Sequence, residues 1–248
     1  MTWRFLIALV VLVFFLFPVY WLFITSIKSA GDIFARPPVW FPNEPNFRIF
    51  GILFKDGDVW AIYNSLIIAS VSTVVAMVLG TAAAYSLARF KTGGQNLAIW
   101  IISQRMIRRS YVGLILLYIA FNLPYVIWMM RGYIEDIPVE VEESALTDGC
   151  SRWQALRKIV FPMARTGIFA TAVFTFIFAW NEFVFALILT RHEVLTFPVL
   201  VTHYYGAQST FWAKIAALSV LGTLPVFFAV ATLQRFLVRG ITMGAVKG

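Results

Sequence analysis

Glu142, Glu143 and Asp148 share one stretch with Arg152, Arg157, Lys158 and Arg165, in a chain that is otherwise mostly apolar. The chemistry open to these side chains is ionic recognition. They form no Ser/His/Asp arrangement and no metal-ligand spacing, and no carboxylates cluster in the apolar setting that would raise the pKa of a general acid. Residues 142–149, Glu-Glu-Ser-Ala-Leu-Thr-Asp-Gly, read as a short amphipathic helix ended by Gly149. A second helix through Ile159, Phe161 and Pro162 then leads into the next apolar run. Polytopic membrane proteins usually join their helices by short polar turns. Here residues 131–165 make a loop large enough to dock a soluble partner.

Composition places that loop beside a bilayer. Hydrophobic residues make up 60% of the 248 and charged residues 13%, against about 25% charged in a soluble domain. Mean hydropathy is +0.81. The net charge of +8, from 20 basic and 12 acidic residues, would suggest nucleic acid in a soluble protein. Here the basic residues flank apolar runs, as cytoplasmic anchors do, so no nucleic-acid partner is expected. Cys150 is the only cysteine, which excludes an internal disulfide, and His192 and His203 stand apart from each other and from any acidic cluster. With no glycine-rich phosphate loop either, the chain is expected to be non-catalytic and to bind no cofactor or metal.

Apolar runs at 5–27, 59–88, 110–130, 166–190 and 215–234 each approach the ~20 residues that cross the hydrocarbon core. The first is longer than a signal-peptide core and is expected to stay as a helix. The fourth is broken only by Glu182. Unsatisfied backbone groups are too costly in lipid for anything but helices or a closed barrel, and the alternation of a barrel is absent. The expected fold is therefore all-α, a polytopic helical bundle. Residues 28–58 carry Pro37, Pro38, Pro42 and Pro45 and form an excursion outside the membrane. Tyr204, Tyr205, Phe211 and Trp212 suit a membrane interface.

One segment breaks the pattern. Residues 97–103 are apolar, but Arg105, Arg108 and Arg109 close them off. A helix over 96–107 would be only about 18 Å long. Without it the chain has five spans, and the loop charges then favour an outside N-terminus. A crossing through 96–109 would instead put the 131–165 loop and the basic tail inside.

These blocks resemble the inner-membrane permease subunits of bacterial ATP-binding-cassette importers, in the carbohydrate-importing branch of the maltose-type permeases. The signature of that family is Glu-Ala-Ala, three residues, Gly, nine residues, Ile, one residue, Leu-Pro. This chain has Glu143-Ser144-Ala145, Gly149, Ile159 and Phe161-Pro162 at the same spacing. Ser144 replaces Ala and Phe161 replaces Leu. The carbohydrate branch is also matched by Ala120-Phe121-Asn122-Leu123-Pro124 with Trp128, by Phe178-Ala179-Trp180-Asn181-Glu182-Phe183, and by the end of the chain from Gln234 to Gly248. The likeness covers nearly the whole chain. It departs at the short segment, where between Met106 and Val112 about twenty to thirty residues, enough to finish the third span and its loop, are missing.

The resemblance implies a type I importer permease, one transmembrane domain over 1–248 with six spans in the family and the third truncated here. It implies a bacterial cytoplasmic (inner) membrane location and import of sugars, polyols or sugar derivatives. The implied partners are a second homologous permease, two cytoplasmic ATPase subunits that hold ATP-Mg, an extracytoplasmic solute-binding protein, and membrane lipid. Within it, 131–165 is the cytoplasmic coupling loop, with Glu142, Glu143, Ala145, Asp148, Gly149, Ile159 and Pro162 as its site residues. Glu143 would offer its carboxylate to the ATPase, Ala145 would pack closely, and Gly149 would permit a sharp turn. Asn122, Asn181 and Glu182 would line the solute pathway or fix helix packing. Trp128 and Trp180 could stack on sugars, or simply face lipid or core. Two other functions stand beside this one, a truncated permease that only assembles and an ion-coupled secondary transporter. The latter predicts internal repeats and several intramembrane charges, and neither is seen.

Overall fold

The computed structural model describes residues 2–90, 111–190, 194–205 and 211–244, and every regular element among them is helical. The elements are α1 (Thr2–Ile27), α2 (Ala30–Phe34), α3 (Arg48–Lys55), α4 (Val59–Phe90), α5 (Tyr111–Glu135), α6 (Val139–Thr147), α7 (Arg152–Met163), α8 (Arg165–Trp180), α9 (Val184–Leu189), α10 (Phe197–His203) and α11 (Trp212–Gly244). Among the described residues, four helices are long and apolar enough to cross a bilayer: Trp3–Ile27, Val59–Arg89, Tyr111–Glu135 and Trp212–Thr232. The bent pair α7–α8 makes a fifth if it is counted as one span. The integral-membrane helical bundle expected from the sequence is thus observed. Pro18, Pro124 and Pro225 lie inside α1, α5 and α11, as is tolerated in membrane helices.

The chain divides into two compact units. In the first, Met1–Ser65 with Leu195–Pro225, side chains tie distant segments together. Asn64 Nδ2 donates to the Leu195 carbonyl at 2.9 Å, and the Phe197 N–H donates to Ser65 Oγ at 2.7 Å. Lys214, on α11, pairs with Asp56 at 2.6 Å and Asp58 at 2.9 Å. Trp40 folds back on α1, edge-on to Trp21 at 5.7 Å, while Tyr20 donates to its carbonyl.

In the second unit, Leu66–Val194 with Val226–Gly248, close backbone approach does the joining. Lipid tails are as apolar as the side chains, so membrane helices associate through packing and small residues rather than through a hydrophobic drive. A Cβ at Gly80 of α4 would lie 2.5 Å from Val126 of α5, and one at Gly167 of α8 would lie 2.2 Å from the Tyr133 ring. Around these crossings Ala76, Ala84, Tyr85, Val126, Met130, Ile134, Leu156 and Val160 form one buried cluster.

One detail was not expected. The fourth apolar run is not one helix: α8 ends at Trp180, and α9 begins at Val184. The loop beyond Gly149 does lead into α8, but through a 76° bend between α7 and α8. A π turn at Leu156–Val160 and Pro162, which has no N–H to donate, lie immediately before that bend. The short apolar segment 96–109 and the terminal residues 245–248 lie outside the described residues.

The glycine contacts make a direct test. Gly167→Ala should lower the thermal midpoint of the detergent-solubilised chain by several degrees, because displacing the Tyr133 ring costs about 1–3 kcal/mol. Gly132→Ala, with nothing within 4 Å of the new Cβ, should leave the midpoint equal or higher, since alanine is the better helix former by about 0.5–1 kcal/mol. Equal destabilisation by both substitutions would show that the close approach at Gly167 is not what joins α8 to α5.

Candidate functional site

The carboxylates of the signature loop part company in the structure. Pro138 precedes α6, and Glu140 and Glu142 occupy its first turn, where acidic side chains favour the helix dipole. Glu142 and Ala145, one turn apart by helical spacing, are the buried residues of α6. Glu140, Glu143, Ser144 and Thr147 are exposed. Of the paired glutamates, only Glu143 is presented outward, together with the half-exposed apolar Val139 and Val141.

Glu142 is held from α4. Arg89 Nε donates to Glu142 Oε2 at 2.9 Å, and the Tyr85 hydroxyl donates to Oε1. The same guanidinium donates through Nη2 to the carbonyls of Ile137 at 3.1 Å and Ile134 at 3.3 Å. Ile134 lies in the last turn of α5 and Ile137 in the link beyond it. Side-chain exposure is 8% for Arg89 and 4% for Glu142. Removing one member of so buried a pair leaves the other charge uncompensated, at a cost of about 3–5 kcal/mol.

The end of α6 follows from Gly149. Its φ is +87°, a conformation that glycine adopts without the Cβ penalty. The Cys150 N–H reaches the Ala145 carbonyl at 3.0 Å and the Gly149 N–H reaches Leu146 at 3.1 Å, the double hydrogen bond of a glycine helix end. Asp148 is exposed beside it. Ser151 then starts α7 with a reciprocal cap, accepting from the Gln154 N–H while its own N–H donates to Gln154 Oε1. Trp153 projects from α7, 64% exposed. Ile159 is half-buried in the π turn, and Pro162 is exposed before the bend.

The three polar residues expected within the spans are only partly brought together. Glu182 lies in the gap between α8 and α9 and caps α9: Oε1 accepts from the Phe185 N–H at 2.8 Å and Oε2 from the Ala186 N–H at 3.1 Å. Tyr118 of α5 donates its hydroxyl to Oε2 at 2.8 Å. Asn122, one turn on from Tyr118, donates Nδ2 to the Tyr118 carbonyl at 2.8 Å, and its buried Oδ1 has no hydrogen-bond partner among the described residues. Asn181 is exposed and bonds only its own helix, through Nδ2 to the Ile177 carbonyl at 2.9 Å. Trp180 is 1% exposed and stacks on Phe176, whereas Trp128 is 71% exposed.

Sequence reasoning missed Arg89, Tyr85 and Tyr118. Arg89 was legible only as the charge that ends an apolar run. The signal for Tyr118 was its place four residues before Asn122, on the same helix face.

Comparison with known proteins matches residues 2–243 to the family of binding-protein-dependent transport system inner membrane components. The diacetylchitobiose uptake system permease protein DasC of Streptomyces coelicolor is 35% identical, over 100% of this chain and 97% of that protein. The trehalose transport system permease protein SugB of Mycobacterium tuberculosis is 34% identical, over 94% of this chain and 93% of its own length. The alignment with DasC spans 268 positions against 248 residues here, a shortfall of at least 20 in this chain. A chain in the crystal structure of a bacterial ABC transporter involved in the import of the acidic polysaccharide alginate shares the fold, with TM-score 0.76 over 94% of both chains at 20% identity.

The Glu182 geometry predicts a graded response. Tyr118→Phe should lower the thermal midpoint, because a hydrogen bond to a charged group contributes about 1.5–3 kcal/mol. Asn181→Ala should leave it nearly unchanged. A midpoint more sensitive to Asn181 than to Tyr118 would contradict the capping role drawn for Glu182.

Proposed function

We propose a working cycle for this chain, which belongs to the binding-protein-dependent transport system inner membrane components and, among them, to the permeases of carbohydrate ABC importers. It is a multi-pass membrane subunit. Its substrate class is a sugar, polyol or sugar derivative delivered by an extracytoplasmic solute-binding protein. It works in the bacterial cytoplasmic membrane beside a second homologous permease and two cytoplasmic ATPase subunits. Those subunits hold ATP-Mg and carry out the hydrolysis; this chain does none.

One observation carries the reading. α6 buries Glu142 and Ala145 against its own chain and turns Glu143 outward, so a helix anchored on one side offers a charged and partly apolar face on the other. In the proposed cycle that face docks on an ATPase subunit, with Glu143 as the ionic contact and Trp153 as an aromatic anchor. Closure of the two ATPase subunits on ATP moves α6, α7 carries the motion through its bend into α8, and the cavity changes from inward to outward facing. Asn122 on α5 and Glu182 beyond the end of α8 face the pathway in this cycle, and Glu182 also keeps the break before α9 in place.

The alignment shortfall favours one other reading, a permease that assembles but does not transport. Family membership sets aside the ion-coupled secondary transporter. Uptake of labelled sugar by vesicles holding the assembled complex separates the two that remain: uptake with the chain as it stands removes the assembly-only reading.

Purification of the tagged chain from native membranes should bring down an ATPase subunit and a second permease. Glu143→Lys should reduce ATPase recovery by roughly tenfold or more, since like charge at an ionic contact costs several kcal/mol. The thermal midpoint of the chain should not change, because Glu143 is exposed. Full ATPase recovery with both Glu143→Lys and Trp153→Ala would sink the docking face as drawn.

A further inference from the structure

We propose that Arg89 is the joint through which motion of α6 reaches the spans, with Glu142 and Tyr85 setting its geometry. The inference rests on the reading that α6 docks on an ATPase. It gives Glu142 a different duty from the adjacent Glu143.

The need for a joint follows from the backbone. α5 ends at Glu135 and α6 begins at Val139. The intervening residues contribute two soft dihedrals each, apart from the fixed φ of Pro138. The Asp136 and Ile137 N–H groups still bond Gly132 and Ile134 of α5, so the freedom left in the link lies around Pro138. If nothing else held α6, a push from a docked partner would rotate it about that point and leave α5 where it was.

Arg89 closes that swivel from both sides. It sits in the last turn of α4. Its guanidinium holds the Ile134 and Ile137 carbonyls before and within the link, and the Glu142 carboxylate beyond it. A planar fork with five donors in fixed directions can bridge acceptors in this way. Lysine, with a single ammonium, cannot reproduce the geometry. Tyr85, one turn earlier on α4, takes the other carboxylate oxygen. Both oxygens of Glu142 are thus engaged within the chain, which leaves the outward contact to Glu143. Further along, the Gly80–Val126 approach locks α4 on α5. Displacement of α6 is therefore carried to α4 and α5 together.

The buried pair is not needed for stability as such. Apolar residues of similar volume commonly replace a buried ion pair without loss, whereas removal of one partner is costly. That difference allows the joint to be tested apart from folding. Arg89 is a positioning residue in this scheme, and it touches no transported solute.

The test uses the complete importer in proteoliposomes and reads two quantities, ATP hydrolysed and solute moved per ATP. The paired substitution Arg89→Met with Glu142→Met removes the bridge while keeping the site filled, and Arg89→Lys retains the charge without the fork. With ATPase recovery, hydrolysis and thermal midpoint retained, solute moved per ATP should fall by roughly tenfold or more, within the range of typical coupling energies. A wild-type yield per ATP in the paired Met variant would overturn the joint. Loss of ATPase recovery in that variant would overturn it too, since Glu142 would then be a partner contact. Failure of the unsubstituted chain to retain any ATPase would instead overturn the docking reading beneath it.

Discussion

The bridge between Arg89 and Glu142 decides how the rest of the second unit can work. An arginine and a glutamate in an apolar cluster persist only when every donor and acceptor is occupied. Here the Tyr85 hydroxyl and the carbonyls of Ile134 and Ile137 add to the pairing. The consequence is mechanical as well as electrostatic. A short helix beyond a three-residue link is fixed to two long helices at once, with Glu143 left on its outward face.

The same logic recurs at Glu182. An ionised carboxylate within an apolar run is expensive in the membrane unless it is partnered. This one takes two backbone N–H groups at the start of α9 and the Tyr118 hydroxyl. The chain thereby tolerates a break in a span, because two of the N–H donors left free at the start of α9 are satisfied locally. A polar residue that looks like a pathway marker in the sequence is, in the structure, the residue that caps α9 and joins it to α5.

Much of the fold was legible in the sequence because the bilayer restricts the choices. Length and apolarity of the runs at 5–27, 59–88, 110–130 and 215–234 led directly to α1, α4, α5 and α11. Glycine chemistry marked the end of α6, since few other residues suit φ +87° at Gly149. The family signature marked the loop that holds α6 and α7, but spacing alone could not separate Glu142 from Glu143. That separation depends on which face of α6 meets α4, and so on Arg89, more than fifty positions away. The break at residues 181–183 was hidden for a related reason. Hydropathy registers one charge there, whereas the helix ends because that charge finds three donors, one of them on α5.

Rigid movement of α6 with α4 can be measured directly. Spin labels at Thr147 of α6 and Val78 of α4, both exposed, in a Cys150→Ser background, would report the distance between the two helices within the assembled importer. Pulsed electron–electron resonance should give one distance distribution, unchanged between the nucleotide-free and ATP-bound states, while labels placed across the complex move. A shift or broadening of the Thr147–Val78 distribution on ATP binding would mean that α6 swivels on its link and that the Arg89 bridge does not transmit the stroke.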